Sequence, residues 1–154
     1  MSEPQGLRAR LETVREVFER LPFNHLLGLR VSYLEEDGAG FEFSMNDSLV
    51  GNFVHGILHG GVISTVLDTT GGMTAAASAM KRIKGLTVEE LRERISRFGT
   101  IDLRVDYLRP GRGEHFRSSG TVMRTGRKVA VTRMELKNQE DLLIAVGTGT
   151  YIVG

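Results

Sequence analysis

The stretch HGGVISTVLDTTGGMTAAASAM, residues 59–80, constrains the fold more than any other part of the chain. After its histidine it is almost entirely small or apolar, so a helix built from it would be apolar on nearly every side. Such a helix has to be surrounded by other elements rather than covered on one face. Its glycines, serines and threonines, together with Asp68, favour a buried core helix over a membrane span.

The remaining segments predict what surrounds this helix. Residues 7–21 carry apolar side chains at spacings of three and four, which predicts an amphipathic helix ended by Pro22. Residues 87–98 begin with Thr87 and then Glu90, a capping-box pattern that predicts a short, polar second helix. The segment GNFVHGIL predicts a glycine-rich loop. Apolar and alternating runs predict six strands: two in 27–46 about a DGAG turn, and four at 101–107, 115–124, 128–137 and 142–153.

These elements fit one architecture. An antiparallel sheet needs one covered face, and the apolar helix needs to be enclosed. Both needs are met by an α+β fold in which a curved antiparallel sheet of about six strands wraps around the long central helix. The chain has 154 residues and shows no repeat or long linker, so we expect one domain over 1–154. Within it, 1–22 would form the N-terminal amphipathic helix and 86–98 the short polar helix.

Composition narrows the functional classes. A formal net charge of +1 gives no global field for nucleic acid or an anionic membrane, so we expect neither as a partner. Because there is no cysteine, disulfides, thiolate nucleophiles and cysteine-ligated metals are excluded. The N-terminal residues lack the apolar core of a signal peptide, and we expect a cytoplasmic protein.

Asp68 is the single acid in the apolar run. A charged carboxylate in apolar surroundings is costly unless it is paired or hydrogen-bonded. One interpretation is structural: Ser64 or Thr65 one turn earlier, or a neighbouring chain, satisfies the carboxylate. The other is functional: Asp68 is a general base or nucleophile in a cleft with little water.

The HGG motif at the start of the same helix favours the functional interpretation. Glycines at a helix N-terminus leave backbone N–H groups free and let a ligand come close, and the helix dipole adds positive charge there. Those are the components of an oxyanion hole, formed here by Gly60 and Gly61. We expect His59 to cap or orient this turn, with a principal-base role as its second interpretation.

The spacing of these groups predicts a dimer. Gly60 and Asp68 are eight residues apart, about 12 Å along a helix, whereas a reacting carbonyl has to lie about 3 Å from both. One helix cannot meet that requirement, but two antiparallel copies across a two-fold axis can. We therefore expect an obligate dimer with two equivalent composite sites. Small residues suit close packing of two such helices, and equally close approach of the sheet: Gly71, Gly72, Ala75 and Ala76.

At this point the sequence resembles a known family. The stretch from Asn52 through HGGVISTVLD, the later TIDLRVDYLRPG and the closing VGTGTYIV resemble the hotdog-fold acyl-CoA thioesterases of the phenylacetate-degradation (PaaI-like) type. The run NFVHGILHGG, the helix at 87–98 and LRVDYLRPGRGE are most similar to the YigI-like branch. The resemblance covers roughly residues 25–153, with 87–98 as an insertion.

The resemblance implies a fold, an activity and site residues. Its members have the hotdog fold and hydrolyse acyl-CoA at a dimer interface without a metal or cofactor, and dimers commonly pair into tetramers. The family's catalytic acid falls on Asp68. The family's glycine whose N–H polarises the thioester carbonyl falls on Gly60. A polar residue that lies near the acid or its water in relatives falls on Thr100. The family's upstream asparagine falls on Asn52, one residue further from the histidine than usual. Thr100 shares the parity of Asp102, which predicts a side chain facing away from the helix unless the strand twists or bulges at its start.

Other candidate residues receive weaker assignments. His55 and His59 are four residues apart, a spacing that suits a metal on a helix, but Gly56 between them favours a loop, and we expect no metal site. Arg127 and Lys128 at a predicted hairpin are expected to hold the phosphates of coenzyme A, the alternative being ordinary solvated charge.

These observations together predict an acyl-CoA thioesterase that releases a carboxylic acid and free coenzyme A. Asp68 would act as general base or nucleophile, and the Gly60 N–H of the other subunit would form the oxyanion hole. Two alternatives remain open at this point: a hydratase or dehydratase acting on acyl thioesters, and a non-catalytic dimer that binds acyl thioesters. The sequence does not specify the acyl chain.

Overall fold

The computed structural model describes residues 3–154. Its helices are α1 (Glu3–Glu19), α2 (Pro22–Leu26), α3 (Gly60–Ala79) and α4 (Val88–Ile95), with a 3-10 turn at Asp47–Leu49. Its strands are β1 (Arg30–Glu35), β2 (Gly38–Ser44), β3 (Val50–Asn52), β4 (Ile57–Leu58), β5 (Gly99–Tyr107), β6 (His115–Thr125), β7 (Val129–Asn138) and β8 (Leu143–Ile152).

Six of these strands form one antiparallel sheet that encloses α3. The strand order is β1-β2-β6-β7-β8-β5, and α3 contacts every one of the six. The predicted α+β architecture, a sheet wrapped around the long helix, is therefore confirmed. Helices α1 and α4 contact each other, and α1 also contacts α3. Strands β1 and β5 form the two edges of the sheet.

The sheet can approach α3 closely because small residues line the contact. Gly71 of α3 faces the ring of Tyr151, and Gly120 of β6 faces Thr74. Ala75 and Ala76 are fully buried within the protomer. Gly71, Ala75 and Ala76 therefore allow close approach of the sheet, one of the two interpretations that the sequence left open, whereas packing of two such helices stays a prediction.

Buried hydroxyl groups on α3 are satisfied by the sheet and by the helix itself. Thr70 Oγ1 lies 2.6 Å from Ser118 Oγ on β6, and Ser78 Oγ lies 2.6 Å from Thr125 Oγ1. Thr70 also donates to the carbonyl one turn earlier. Within the described residues no buried side-chain nitrogen or oxygen lacks a hydrogen-bond partner, so the polar content of α3 carries little desolvation cost.

Three local predictions were wrong in detail. Pro22 does not simply follow the first helix: α1 ends at Glu19 and Pro22 begins α2, because proline fits the first position of a helix. The turn between β1 and β2 is Glu36–Asp37, so only the first residue of the predicted DGAG turn lies in it, and β2 already begins at Gly38. Gly40 is needed in that strand because a Cβ there would lie 2.3 Å from a ring carbon of Tyr33.

The predicted glycine-rich loop GNFVHGIL contains a two-stranded ribbon, β3 paired with β4. By contrast, the capping box at Thr87 and Glu90 is confirmed, with both of its hydrogen bonds present. Across residues 3–154 no helix combines the length and apolar character required to cross a membrane.

The two neighbouring glycines of α3 should respond oppositely to alanine. At Gly71 a Cβ would lie 2.2 Å from Tyr151 Oη and 2.8 Å from Met134 Sδ, so Gly71→Ala should destabilise the fold by about 1–3 kcal/mol. At Gly72 the nearest atom would be 3.6 Å away, and Gly72→Ala should be neutral or stabilise the helix by up to about 1 kcal/mol. Denaturant unfolding of both variants checks this pair. Equal stabilities would contradict it.

Candidate active site

Asp68 lies on α3, half-buried, and its carboxylate is held by the sheet. Thr100 Oγ1 on β5 donates a hydrogen bond of 2.9 Å to Asp68 Oδ1. The pairing of β5 with β8 shifts register between Thr100 and Asp102, which marks a β-bulge. The bulge turns Thr100 toward α3, which is the exception to strand parity that the sequence left open, and it places the Thr100 hydroxyl beside the Asp68 carboxylate.

Tyr151 of β8 provides a second contact at Asp68 that the sequence did not predict. Its Oη donates to the Asp68 backbone carbonyl at 3.1 Å. Burial raises the pKa of the Tyr151 phenol well above its usual range, and the negative charge of Asp68 raises that pKa further. Tyr151 therefore remains a neutral hydrogen-bond donor, and it fixes the helix backbone where the carboxylate is attached.

The HGG turn has the structure of a helix cap. His59 is the N-cap of α3, and its Nδ1 accepts the Gly61 N–H at 2.8 Å. The cap interpretation of His59 is confirmed, and the Gly61 N–H is already engaged. Among residues 3–154 no acceptor bonds the Gly60 N–H, which leaves that amide at the positive end of the helix.

Tyr107 at the end of β5 fixes the other side of this turn. Its Oη donates to the Gly60 carbonyl at 3.0 Å, and its ring lies beside Gly60, where a Cβ would be 3.5 Å from the nearest ring carbon. Gly51 on β3 packs directly against the backbone of His59. The turn that presents the Gly60 amide is therefore held by both the ribbon and the sheet.

Asn52 is occupied by its own loop. Its Oδ1 accepts the N–H groups of Val54 and His55, at 3.0 and 3.3 Å, and so closes the turn between β3 and β4. Within the protomer the structure does not bring Asn52 into hydrogen-bond contact with Asp68. Within residues 3–154 no three histidine or acidic side chains come together in a way that would hold a metal ion.

Gly60 and Asp68 lie on the same straight element, α3, and therefore remain about 12 Å apart within one protomer. No single carbonyl can contact both groups from one chain. The amide and the carboxylate are each held in a defined orientation at separate positions of α3.

A pocket of about 440 Å³ opens beside Asp68, a volume typical of small-molecule sites. It lies between α3, α1, the end of α4 and the ends of β5 and β8. Among the described residues of its lining Asp68 alone is charged, and the rest are mainly apolar. The lining residues are Val17, Phe18, Leu21, Asp68, Thr69, Gly72, Ile95, Ser96, Phe98, Gly99, Thr100, Tyr151, Ile152 and Val153.

Arg127 and Lys128 lie at the β6–β7 hairpin, away from the carboxylate. Arg127 lines a small surface cleft together with Arg82 and Arg94. Lys128 is exposed, and its backbone carbonyl accepts the Val153 N–H. Val153 lines both this cleft and the pocket beside Asp68, so the basic residues border the candidate site without contacting Asp68.

A six-stranded antiparallel sheet wrapped around one helix, with an acid and a glycine turn on that helix, defines a hotdog-fold protein of the thioesterase type. Residues 55–145 match the thioesterase superfamily, and the chain belongs to that family.

Individual relatives agree with this assignment. The chain is 48% identical over 145 residues to the medium/long-chain acyl-CoA thioesterase YigI of Escherichia coli K12, with 94% of both chains covered. A crystal structure from Shewanella oneidensis, described as related to the thioesterase superfamily, matches with a TM-score of 0.90 and 48% identity, covering 96% of this chain and 97% of that one. The PaaI protein of Escherichia coli shares the fold, with a TM-score of 0.77 at 17% identity over 97% and 96% of the two chains.

Loss of the hydrogen bond from Thr100 to Asp68 should lower the rate of thioester hydrolysis. Thr100→Val keeps the branched shape but removes the donor to Asp68, and a bond to a charged group is worth about 1.5–3 kcal/mol. We expect kcat to fall about 10- to 100-fold in Thr100→Val and to be largely retained in Thr100→Ser. Thiol release from acyl-CoA measures both variants. Wild-type kcat in the valine variant would show that this bond has no part in turnover.

Proposed function

We propose that this chain hydrolyses medium- to long-chain acyl-CoA at a site shared by two subunits, with Asp68 as the reacting acid. The activity class follows from the family and from the 48% identity to YigI over nearly the whole chain. The observation that carries the site assignment is the half-buried Asp68 carboxylate, held by Thr100 at the side of an otherwise uncharged pocket. The preference for longer chains rests on the name of that relative and on the apolar lining.

Asp68 can act in two ways. As a general base it takes a proton from water, whose oxygen attacks the thioester carbonyl; the C–S bond then breaks and the proton passes to the leaving thiolate. As a nucleophile its oxygen attacks the carbonyl carbon, and the C–S bond breaks to release the coenzyme A thiolate and leave a mixed anhydride on Asp68. Water then hydrolyses the anhydride to the free carboxylic acid and the Asp68 carboxylate, and a proton from that water passes to the thiolate. In both routes the carbonyl oxygen becomes negative, and the partner subunit's Gly60 would supply the N–H that stabilises it.

The shared site requires a dimer, and the exposed surface has a suitable interface. Strand β5 is an edge of the sheet, with its outer backbone groups unpaired within the protomer. Unusually large apolar side chains are exposed around it and around the HGG turn: Phe53 (90%), Val54 (72%), Ile101 (54%), Tyr107 (54%) and Leu108 (48%). A two-fold axis beside β5 would cover this patch and bring two α3 helices together in antiparallel orientation. Pairing of dimers into tetramers stays a prediction.

A hydratase or dehydratase is less well supported. Such chemistry needs a histidine beside the acyl chain, but no histidine is in the lining of the pocket. His59 uses its Nδ1 to cap α3, which suits a structural role in the oxyanion turn. A non-catalytic acyl-thioester binder would leave unexplained why a carboxylate is maintained beside an apolar pocket.

The remaining assignments are also proposals. Arg127 and Lys128 would contact coenzyme A phosphates from the rim of the site, and Gly61 would contribute backbone near the thioester. Asn52 retains its Nδ2 group for contact with the other subunit, because its own loop uses only the oxygen. We expect no cofactor, and a cytoplasmic location stays a prediction.

Removal of the Gly60 N–H donor tests its proposed role in the oxyanion hole. Gly60→Pro deletes the N–H at the first helical position, where proline is well tolerated, and His59 already has the extended backbone (φ −63°, ψ 137°) that precedes proline. We expect a fall of about 10²–10³ in kcat for Gly60→Pro. The matched control Gly60→Ala keeps the N–H, and its Cβ would meet only the Tyr107 ring at ordinary contact distance. Equal kcat values in the two variants would count against the assignment.

Mixing of two inactive variants tests the shared site. Asp68→Asn should lower kcat about 10²–10⁴-fold, and Gly60→Pro should be similarly impaired. In a mixed dimer one site receives Asp68 from one chain and Gly60 from the other, so random assembly should restore about one quarter of wild-type activity. Co-expression with two different tags and measurement of thiol release checks this. Mixed dimers that remain inactive would refute the two-subunit arrangement while leaving the hydrolase activity of the wild type untouched.

A further inference from the structure

The pocket beside Asp68 lies between the ends of strands β5 and β8 and a wall of helical residues outside the sheet. We infer that it holds the acyl chain, and that Gly72 on α3 and Phe18 on α1 set how long a chain it accepts. The inference deepens the proposed function and rests on it, since it takes the thioester carbonyl to lie at Asp68.

Gly72 lies one helical turn beyond Asp68 on the same side of α3, about 6 Å further toward the C-terminus of the helix. It lines the pocket, and a Cβ built there would meet Tyr151 Cε1 at 3.6 Å and Phe18 Cε1 at 3.8 Å. Any side chain at this position would therefore project into the pocket between the two rings. Glycine here preserves space beside the carboxylate that a larger residue would occupy.

The opposite wall comes from α1 and from the α4–β5 connection. Phe18 on α1, Leu21 between α1 and α2, Ile95 at the end of α4 and Phe98 just before β5 all line this part of the pocket. The two walls are tied together by an ion pair of 2.7 Å between Arg92 on α4 and Glu16 on α1. Because these helices lie outside the sheet, the size of the pocket can vary without disturbing the packing of α3 against the strands.

The chemistry of the lining favours an alkyl chain over the pantetheine arm of coenzyme A. Pantetheine carries two amides that need hydrogen-bond partners, and it leads to phosphates that need cations. Among the described residues, α1 and the turn that follows it contribute apolar side chains to the pocket, namely Val17, Phe18 and Leu21. The arginines of this region lie outside the pocket, at the cleft that contains Arg82, Arg94 and Arg127.

A graded series at Gly72 tests the inference. Gly72→Ala and Gly72→Val should reduce the ratio of kcat/KM for hexadecanoyl-CoA to that for butanoyl-CoA, by about fourfold for each methylene excluded from the pocket. The valine variant should shift the chain-length optimum further than the alanine variant. Thiol release across a series of straight-chain acyl-CoA substrates measures these ratios. An unchanged profile, or an equal loss at every chain length as expected for a pantetheine site, would overturn the inference.

A substitution of Phe18 on the opposite wall provides a second, independent test with a matched control. Phe18→Ala should enlarge the pocket and move the optimum toward longer chains. Phe23→Ala makes the same truncation on α2, at a side chain that is 54% exposed and outside the pocket, and should leave the profile unchanged. If Phe18→Ala and Phe23→Ala have the same chain-length profile, the proposed role of Phe18 is refuted.

A binding measurement separates this inference from the proposed function. Calorimetric titration with dodecanoate should show binding to the wild type that is at least about tenfold weaker in Gly72→Val, with or without turnover. Absence of thiol release from every acyl-CoA would refute the proposed hydrolase activity. The titration would still show whether the pocket binds an alkyl chain. Equal dodecanoate affinity in the two proteins would refute the pocket assignment even if hydrolysis is observed.

Discussion

Enclosure of α3 by the sheet is the interaction on which the rest of the structure depends. The helix contacts all six strands, and nearly all of its residues from Val66 to Ala79 are buried. A strand layer can come that close only where side chains are small, which explains the pairing of Gly71 with Tyr151 and of Gly120 with Thr74. The same constraint requires the hydroxyls of α3 to find partners in the sheet, as Thr70 does.

The candidate site lies where this enclosure is incomplete. Beside Asp68 the helix is covered by α1 and the end of α4 rather than by another strand, and the pocket lies in that gap. A carboxylate on any fully wrapped face of α3 would be buried without room for a substrate or water. On this face it is half-buried, hydrogen-bonded by Thr100 and adjacent to an apolar cavity. The position of Asp68 along the helix therefore determines both its accessibility and its chemistry.

Much of this could be predicted from sequence because it is encoded locally. The apolar run predicted the long helix to within one residue of its start, and the capping box at Thr87 predicted the start of α4. What the sequence left open or missed depends on contacts between distant residues. The bulge that turns Thr100 inward lies in the pairing of β5 with β8, so strand periodicity alone could not decide the orientation of Thr100. Tyr107 and Tyr151 were missed because their partners are 47 and 83 residues away in sequence.

Those two tyrosines also suggest how a site divided between subunits stays precise. Tyr107 donates to the carbonyl of Gly60 and Tyr151 to the carbonyl of Asp68, so adjacent strands β5 and β8 each fix α3 at one of the two reacting positions. In a two-fold dimer joined along β5, the distance from amide to carboxylate would depend on both subunits at once. An error of about 1 Å in that distance can cost about 10²-fold in rate. Hydrogen bonds from β5 and β8 to α3 would limit that error, because the sheet that would form the contact also holds the helix that carries both groups.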